Sequence, residues 1–218
     1  MEKVSKQLLT VENTKNMFEY IAHAVIREKP LLTEIDSAIG DGDHGIGMEV
    51  GFKNSLKLLE EKSYTNVNEI FKDIGMSMIN NMGGASGVLF GTFFLGSVKG
   101  EENVDALNLE KLAHFFEKGL NGVKQRGKAA VGDKTMIDAL EPAINALKKK
   151  VSETDDIVEG MEYAAICAEQ GLESTKYLVA KFGRAKTLGE RALGHQDAGA
   201  TTIMIMFKSM HEWLSEKE

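Results

Sequence analysis

The sequence predicts an all-α fold, a barrel-like bundle of about eight antiparallel up-and-down helices. Three observations predict it. Apolar residues recur at helical spacing along almost the whole chain. Only 2 of the 218 residues are proline, the residue that helix interiors tolerate least. The 22 glycines collect at Gly40–Gly51, Gly83–Gly100, Gly119–Gly132 and Gly183–Gly199, which marks loops between helices rather than a chain flexible throughout.

Each helix can be justified in turn. Met17, Ile21 and Val25 share one face of the first. Phe52, Leu56 and Leu59 mark the second, and Ile70, Ile74 and Met78 the third, with Asn68 expected as its N-cap. The stretch Ala85–Val98 is apolar nearly all round and is expected to be a buried helix. Leu109, Leu112, Phe116, Leu120 and Val123 form the next stripe. Met136, Leu140, Ile144 and Leu147 follow and end in Lys148-Lys149-Lys150, where cations suit a helix C-terminus. Pro142 lies inside that pattern and should bend the helix or mark a late start. Ile157, Met161, Ala165, Ala168, Leu172 and Val179 predict one long helix. The last carries Ile203, Phe207, Met210 and Trp213; the run Thr201–Phe207 could pass locally for a strand, but its continuation favours a helix. The cations Lys148–Lys150 and the terminal Glu216-Lys217-Glu218 are expected to be solvated.

No composition break or linker divides the chain, so residues 1–218 are expected to form a single domain. A hydrophobic content of 43% is ample for a core. The net charge of −7 argues against nucleic acid as a partner, because phosphate backbones recruit basic surfaces. Cys167 is the one cysteine, so no internal disulfide can form and a reducing compartment is expected. The start Met1–Lys6 lacks the apolar core of a signal peptide, and no run is apolar enough to span a bilayer. The expectation is a soluble, cytoplasmic, acidic protein.

Chemistry is concentrated between the helices. Asp36, Asp41 and Asp43 crowd into the segment Glu34–Gly45 among Gly40, Gly42 and Gly45. Carboxylates that close repel one another unless a cation sits between them. Hard oxygen ligands in a small set suit Mg²⁺, which keeps open positions for phosphate oxygens. A solvated turn is the plain alternative. An EF-hand reading fails, because Gly45, Ile46 and Gly47 stand where ligands belong, although Glu49 falls near the closing position. His44 follows directly and suits either a phosphate contact or a polar turn. Gly83-Gly84-Ala85-Ser86-Gly87 opens the most apolar helix. Backbone N–H groups at such a helix start can clamp phosphate, and ordinary close packing explains the small residues equally well. In Gly132-Asp133-Lys134-Thr135-Met136, either Asp133 or Thr135 could cap the following helix. Arg184, in Gly183-Arg184-Ala185, suits bidentate pairing with phosphate or carboxylate. Asp197 and Gly199, in Gly194–Ala200, precede the last helix. In an antiparallel bundle alternate loops share one end, so these segments could gather at one rim.

Taken together, these segments closely resemble the nucleotide-binding L subunits of bacterial dihydroxyacetone kinases, in order and spacing from Asp36 to Thr202. His44 separates them from the related domain of fatty-acid kinases, which tends to carry Thr after the Gly-Asp pair. The resemblance implies a barrel of antiparallel helices with ADP or ATP bound at one rim and two Mg²⁺ held by Asp36, Asp41 and Asp43. It implies that His44 and Gly45 line the phosphate site and that Gly84, Ala85 and Ser86 bind phosphate. Gly127 and Met136 would border the adenine, and Arg184 with Asp197, Ala198 and Gly199 would close the site.

It further implies a kinase in which a separate K subunit holds dihydroxyacetone or another short ketose. A phosphohistidine on an M subunit, charged ultimately from phosphoenolpyruvate, would convert bound ADP to ATP in place. ATP-dependent relatives usually fuse the K and L regions. A chain of 218 residues is short for both, which favours the split relay. No general base is expected here, because the acceptor hydroxyl would lie on the partner. Family L subunits can also contact a transcription regulator. A nucleotide-sensing module, an ATP-exchanging subunit and a stand-alone Mg²⁺ phosphohydrolase therefore stay open as alternatives.

Overall fold

The structure, a computed structural model, describes residues 8–216. All of Met1–Lys6 and the last two charges of Glu216-Lys217-Glu218 therefore lie outside the described residues. Within them nine α-helices follow one another: α1 (Val11–Arg27), α2 (Lys29–Ile39), α3 (His44–Glu61), α4 (Val67–Asn81), α5 (Gly84–Val98), α6 (Leu109–Gly127), α7 (Ile137–Val151), α8 (Ile157–Ser174) and α9 (Ala198–Glu216). Two short 3₁₀ segments, Thr175–Tyr177 and Arg184–Ala192, lie between α8 and α9. Strands β1 (Leu9–Thr10) and β2 (Ala106–Leu107) form one small antiparallel pair, with Leu9 opposite Leu107.

Helices α3 to α9 pack in sequence order, and α1 packs against both α3 and α9 to close the ring. Eight helices thus make the barrel, and α2 lies beside it against α3 and α9. The loops after α2, α4, α6 and α8 share one end of such an up-and-down ring, and those after α3, α5 and α7 share the other. Phenylalanines fill the interior. Phe71 of α4 meets Phe18 of α1 edge to face at 5.2 Å, Phe93 of α5 meets Phe116 of α6 at 5.4 Å, and Phe116 meets Phe207 of α9 at 5.8 Å. Such pairs add about 0.5–1.5 kcal/mol each beyond their buried area. The segment Thr201–Phe207 is helical throughout. After Ser86, α5 has no exposed residue before its C-terminus, as its all-round apolar character requires. No helix among the described residues is long and apolar enough to cross a membrane.

Several expectations are corrected. The N-cap of α4 is Asn66, whose side chain accepts from Glu69 N–H at 3.1 Å. Asn68 instead sits fully buried inside the helix. Its amide donates to Glu102 O at 3.2 Å and its oxygen accepts from Val104 N–H at 3.1 Å, pinning the α5–α6 loop. Helix α8 stops at Ser174, so Val179 falls beyond it in an exposed extended stretch. Pro142 marks no late start, for α7 begins at Ile137 and carries the proline in its second turn. Lys150 is not solvated. It is 7% exposed, pairs with Glu159 at 2.8 Å and Glu153 at 2.9 Å, and lies 3.7 Å from the ring centre of Tyr163. The helix α2, with Pro30 in its first turn, lies within a segment that the apolar pattern leaves unassigned.

Candidate functional site

A cavity of about 900 Å³ opens at the barrel end that collects the loops after α2, α4, α6 and α8, and all four of those connections line it. Its size matches the range for small-molecule and cofactor sites. Asp36 reaches it from the last turn of α2, and Asp41 and Asp43 from the turn that joins α2 to α3. Gly42, at φ +76°, reverses that turn in a conformation L side chains rarely adopt. One oxygen from each of the three carboxylates lies within 4.8 Å of the others. Burial pushes the Asp43 carboxyl up from its ordinary value, and the Asp41 and Asp36 carboxylates push it further. That is the signature of negative charges gathered without a counter-ion. Arg184 answers part of it, with its guanidinium 2.9 Å from Asp41 Oδ2.

Three helices start at this cavity: α3 at His44, α5 at Gly84 and α9 at Ala198. Their free N–H groups and dipoles favour anions, while the carboxylate trio favours cations. A metal-bound polyphosphate satisfies both. His44 N–H donates to Asp36 Oδ2 at 3.2 Å, which ties the acidic turn to the start of α3. The His44 ring is 7% exposed. Its Nε2 lies 2.8 Å from Thr202 Oγ1, and its Nδ1 lies 3.4 Å from Ser86 Oγ. The Thr202 hydroxyl donates to Ala198 O at 3.3 Å, so its oxygen accepts from Nε2–H. Burial pushes the imidazole down to about 4, with the Asp36 carboxylate opposing that shift. The long Ser86 contact leaves that hydroxyl able to turn toward a ligand.

Leu89, Gly127 and Met136 line the cavity as well. Asp197 caps α9, with Oδ2 accepting from Ala200 N–H at 2.8 Å. Burial pushes its carboxyl up to about 7, and the Asp138 and Asp36 carboxylates add to that shift. Asp36, Asp41, Asp43, His44, Gly84, Ala85, Ser86, Gly127, Met136, Arg184, Asp197, Ala198 and Gly199 all line the one cavity.

Gly45 does not line it. A Cβ there would lie 2.3 Å from Thr33 Oγ1 and 2.5 Å from Lys29 O, so this glycine lets α2 approach α3 closely. Gly45, expected in the phosphate site, is seen here in a packing role between α2 and α3. In the α6–α7 connection, Thr135 Oγ1 accepts from Ile137 N–H at 3.2 Å, whereas Asp133 accepts from Ala130 N–H and Lys181 instead of capping α7. Arg126, Lys134 and Phe182 also line the cavity. Lys134 stands inside the motif Gly132–Met136, beside the capping candidates Asp133 and Thr135, and that position is its one signal in the sequence. Arg126 and Phe182 stand in no motif.

The donor set fits Mg²⁺: three hard carboxylates close together, beside open space for phosphate oxygens. Residues 38–212 match the family described as DAK2 domain. The chain is 42% identical over 186 residues to the ADP-binding subunit DhaL of PEP-dependent dihydroxyacetone kinase 1 from Listeria innocua, covering 85% of this chain and 88% of that protein. It is 39% identical over 183 residues to the ADP-binding subunit DhaL of the PEP-dependent dihydroxyacetone kinase from Escherichia coli K12, covering 84% and 87%. The dihydroxyacetone kinase of C. freundii, solved in complex with AMP-PNP and Mg²⁺, superimposes with a TM-score of 0.72 at 27% identity, over 91% of this chain and 33% of that one. The chain belongs to the DAK2 domain family, in its group of ADP-binding DhaL subunits of dihydroxyacetone kinases.

Proposed function

We propose that this chain, acting as one domain, holds Mg²⁺-bound ADP or ATP at the barrel rim and delivers a phosphoryl group to dihydroxyacetone or a similar short ketose carried by a separate K subunit. One observation carries this reading: a carboxylate trio and three helix N-termini line a single cavity. Asp36, Asp41 and Asp43 would hold the metal, which we put at two ions. Those ions supply neutralisation of phosphate charge when bound. His44 and Ser86, with the backbone at Gly84 and Ala85, would bind the phosphates. Gly127 and Met136 would border the adenine. Arg184, with Asp197, Ala198 and Gly199, would close the site and exclude water. Phosphoryl transfer asks for positioning and charge stabilisation more than for covalent help, and these residues supply both.

The split arrangement is supported by similarity. The chain is 42% and 39% identical to relatives named ADP-binding subunits of PEP-dependent dihydroxyacetone kinases, against 27% to the C. freundii kinase. We therefore favour a resident nucleotide recharged by a phosphohistidine on an M subunit over exchange with free ATP. Relatives named L-erythrulose kinase and D-erythrulose kinase keep the acceptor class open to tetroses.

The test is made on protein purified without added nucleotide, denatured, and analysed by ion-exchange chromatography and metal analysis. Stoichiometric ADP with Mg²⁺ supports the resident-cofactor relay. Empty protein that binds ATP on addition and then phosphorylates ketose with a K subunit supports an exchanging kinase subunit. Protein that binds neither nucleotide refutes the reading.

A further inference from the structure

Residues 176–194 leave the barrel and return to it, carrying Phe182 and Arg184 to the cavity mouth. The two feet of this loop are stitched together. Gly194 N–H donates to Lys176 O at 2.7 Å, Asp197 N–H donates to Thr175 Oγ1 at 3.0 Å, and Gln196 Nε2 donates to Glu173 Oε1 at 2.7 Å. Beneath the stitch lies Lys134, 1% exposed. Its ammonium donates to Thr175 O and to His195 O, each at 2.5 Å, so one cation joins both feet.

This placement is built with care. Lys134 holds a backbone φ of +58°, uncommon for a residue with a side chain. Asp138, buried at the start of α7, fixes that turn by accepting from Gly132 N–H at 2.6 Å and Thr135 N–H at 2.7 Å. Farther out, Lys181 N–H donates to Asp133 O at 3.1 Å and Lys181 Nζ to Asp133 Oδ1 at 2.6 Å, so the same turn also holds the loop's flank. An ammonium is costly to bury, and burial lowers its affinity for a proton while the Asp197 and Asp138 carboxylates raise it. The Thr175 carbonyl stands at the C-terminal end of α8, where a cation is favoured. A methionine would fill the space without that cost. What it could not do is bond two carbonyls that belong to opposite feet of one loop.

We propose that Lys134 is the positioning residue of the nucleotide-retaining loop: by locking its neck it holds Arg184 over the carboxylate cluster and so sets how slowly nucleotide leaves. This rests on the nucleotide reading of the cavity. With two of its three N–H bonds committed to carbonyls, Lys134 acts through Arg184 and not on the ligand.

The test compares wild type, Lys134→Met, Arg184→Ala and the double variant, reading the dissociation rate of ADP in Mg²⁺ together with hydrogen exchange of the empty proteins. Lys134→Met should raise the dissociation rate by up to roughly tenfold, no more than Arg184→Ala does. It should speed exchange in residues 176–194 and leave the barrel helices protected. The double variant should dissociate no faster than Arg184→Ala, because the two act in series. Additive rates would overturn the proposal, as would unchanged exchange in the loop. If Lys134→Met fails to fold, Gly194→Ala loosens the same neck by backbone strain alone, since φ is +83° and no atom lies within 4 Å of the added Cβ. A folded Gly194→Ala with faster loop exchange but wild-type dissociation would also overturn it. Wild type that binds no ADP refutes the nucleotide reading, and loop exchange in the empty Lys134→Met protein still decides whether the neck is locked.

Discussion

His44 Nε2 and Thr202 Oγ1 lie 2.8 Å apart and join the first turn of α3 to the second turn of α9 across 158 residues of sequence. His44 Nε2–H donates in that bond, and burial, which disfavours the charged ring, holds the imidazole down at about 4 against an ordinary 6.5. A depressed folded-state pKa means the unfolded chain takes up the proton first. The stability that His44 contributes is complete above pH 6.5 and is lost as pH falls toward 4, about 3 kcal/mol in all. We predict that in metal-free protein the stability advantage of wild type over His44→Gln shrinks steadily across that window in urea melts. A constant advantage would show that the ring does not titrate as described.

Asp41→Ala separates metal binding from folding. The Arg184–Asp41 pair is largely exposed and such pairs contribute at most about 1 kcal/mol, while removing one of three clustered carboxylates relieves repulsion. In chelator the variant should therefore melt close to wild type. On adding Mg²⁺ and ADP together, the melting temperature of wild type should rise by mass action and that of the variant should not. An equal rise in both would remove Asp41 from the metal site.

Arg184→Ala should weaken ADP retention by roughly tenfold, the worth of one charge-assisted contact, with helical content unchanged, because the residue is exposed and its pair with Asp41 lies at the surface. Equilibrium dialysis in Mg²⁺ measures it. An unaltered dissociation constant would place Arg184 outside the site.

Gly171→Ala tests the crossing of α7 and α8. A Cβ there would lie 2.1 Å from Asp138 O, the carbonyl to which Pro142 has no N–H to give. The added methyl must push the two helices apart, at a cost of about 1–3 kcal/mol or more. Because Asp138 also shapes the Lys134 turn, nucleotide retention should fall together with the melting temperature. Wild-type stability would mean the helices separate freely here.

How much was legible follows from where each feature's cause lies. The apolar stripes of α1, α4 and α6 were plain because burial imposes one periodicity on neighbouring residues. The cap of α4 was not. Asn66 and Asn68 are equal candidates by residue type, and the choice turned on Glu102 and Val104, which take the side chain of Asn68. The packing of Gly45 was not legible either: Thr33 and Lys29, against which it sits, carry no mark of that contact in their own sequence.

The sequence by itself determined the helical class, the acidic turn and the glycine-flanked helix starts, since these are local consequences of spacing, turn chemistry and charge. Only the tertiary structure decided that the four alternate connections share one cavity, that His44 is paired with Thr202 and that Lys134 reaches both Thr175 and His195. Those contacts join residues far apart in the chain. They exist because closing eight helices into a ring fixes which ends meet, and no local pattern of residues encodes that closure.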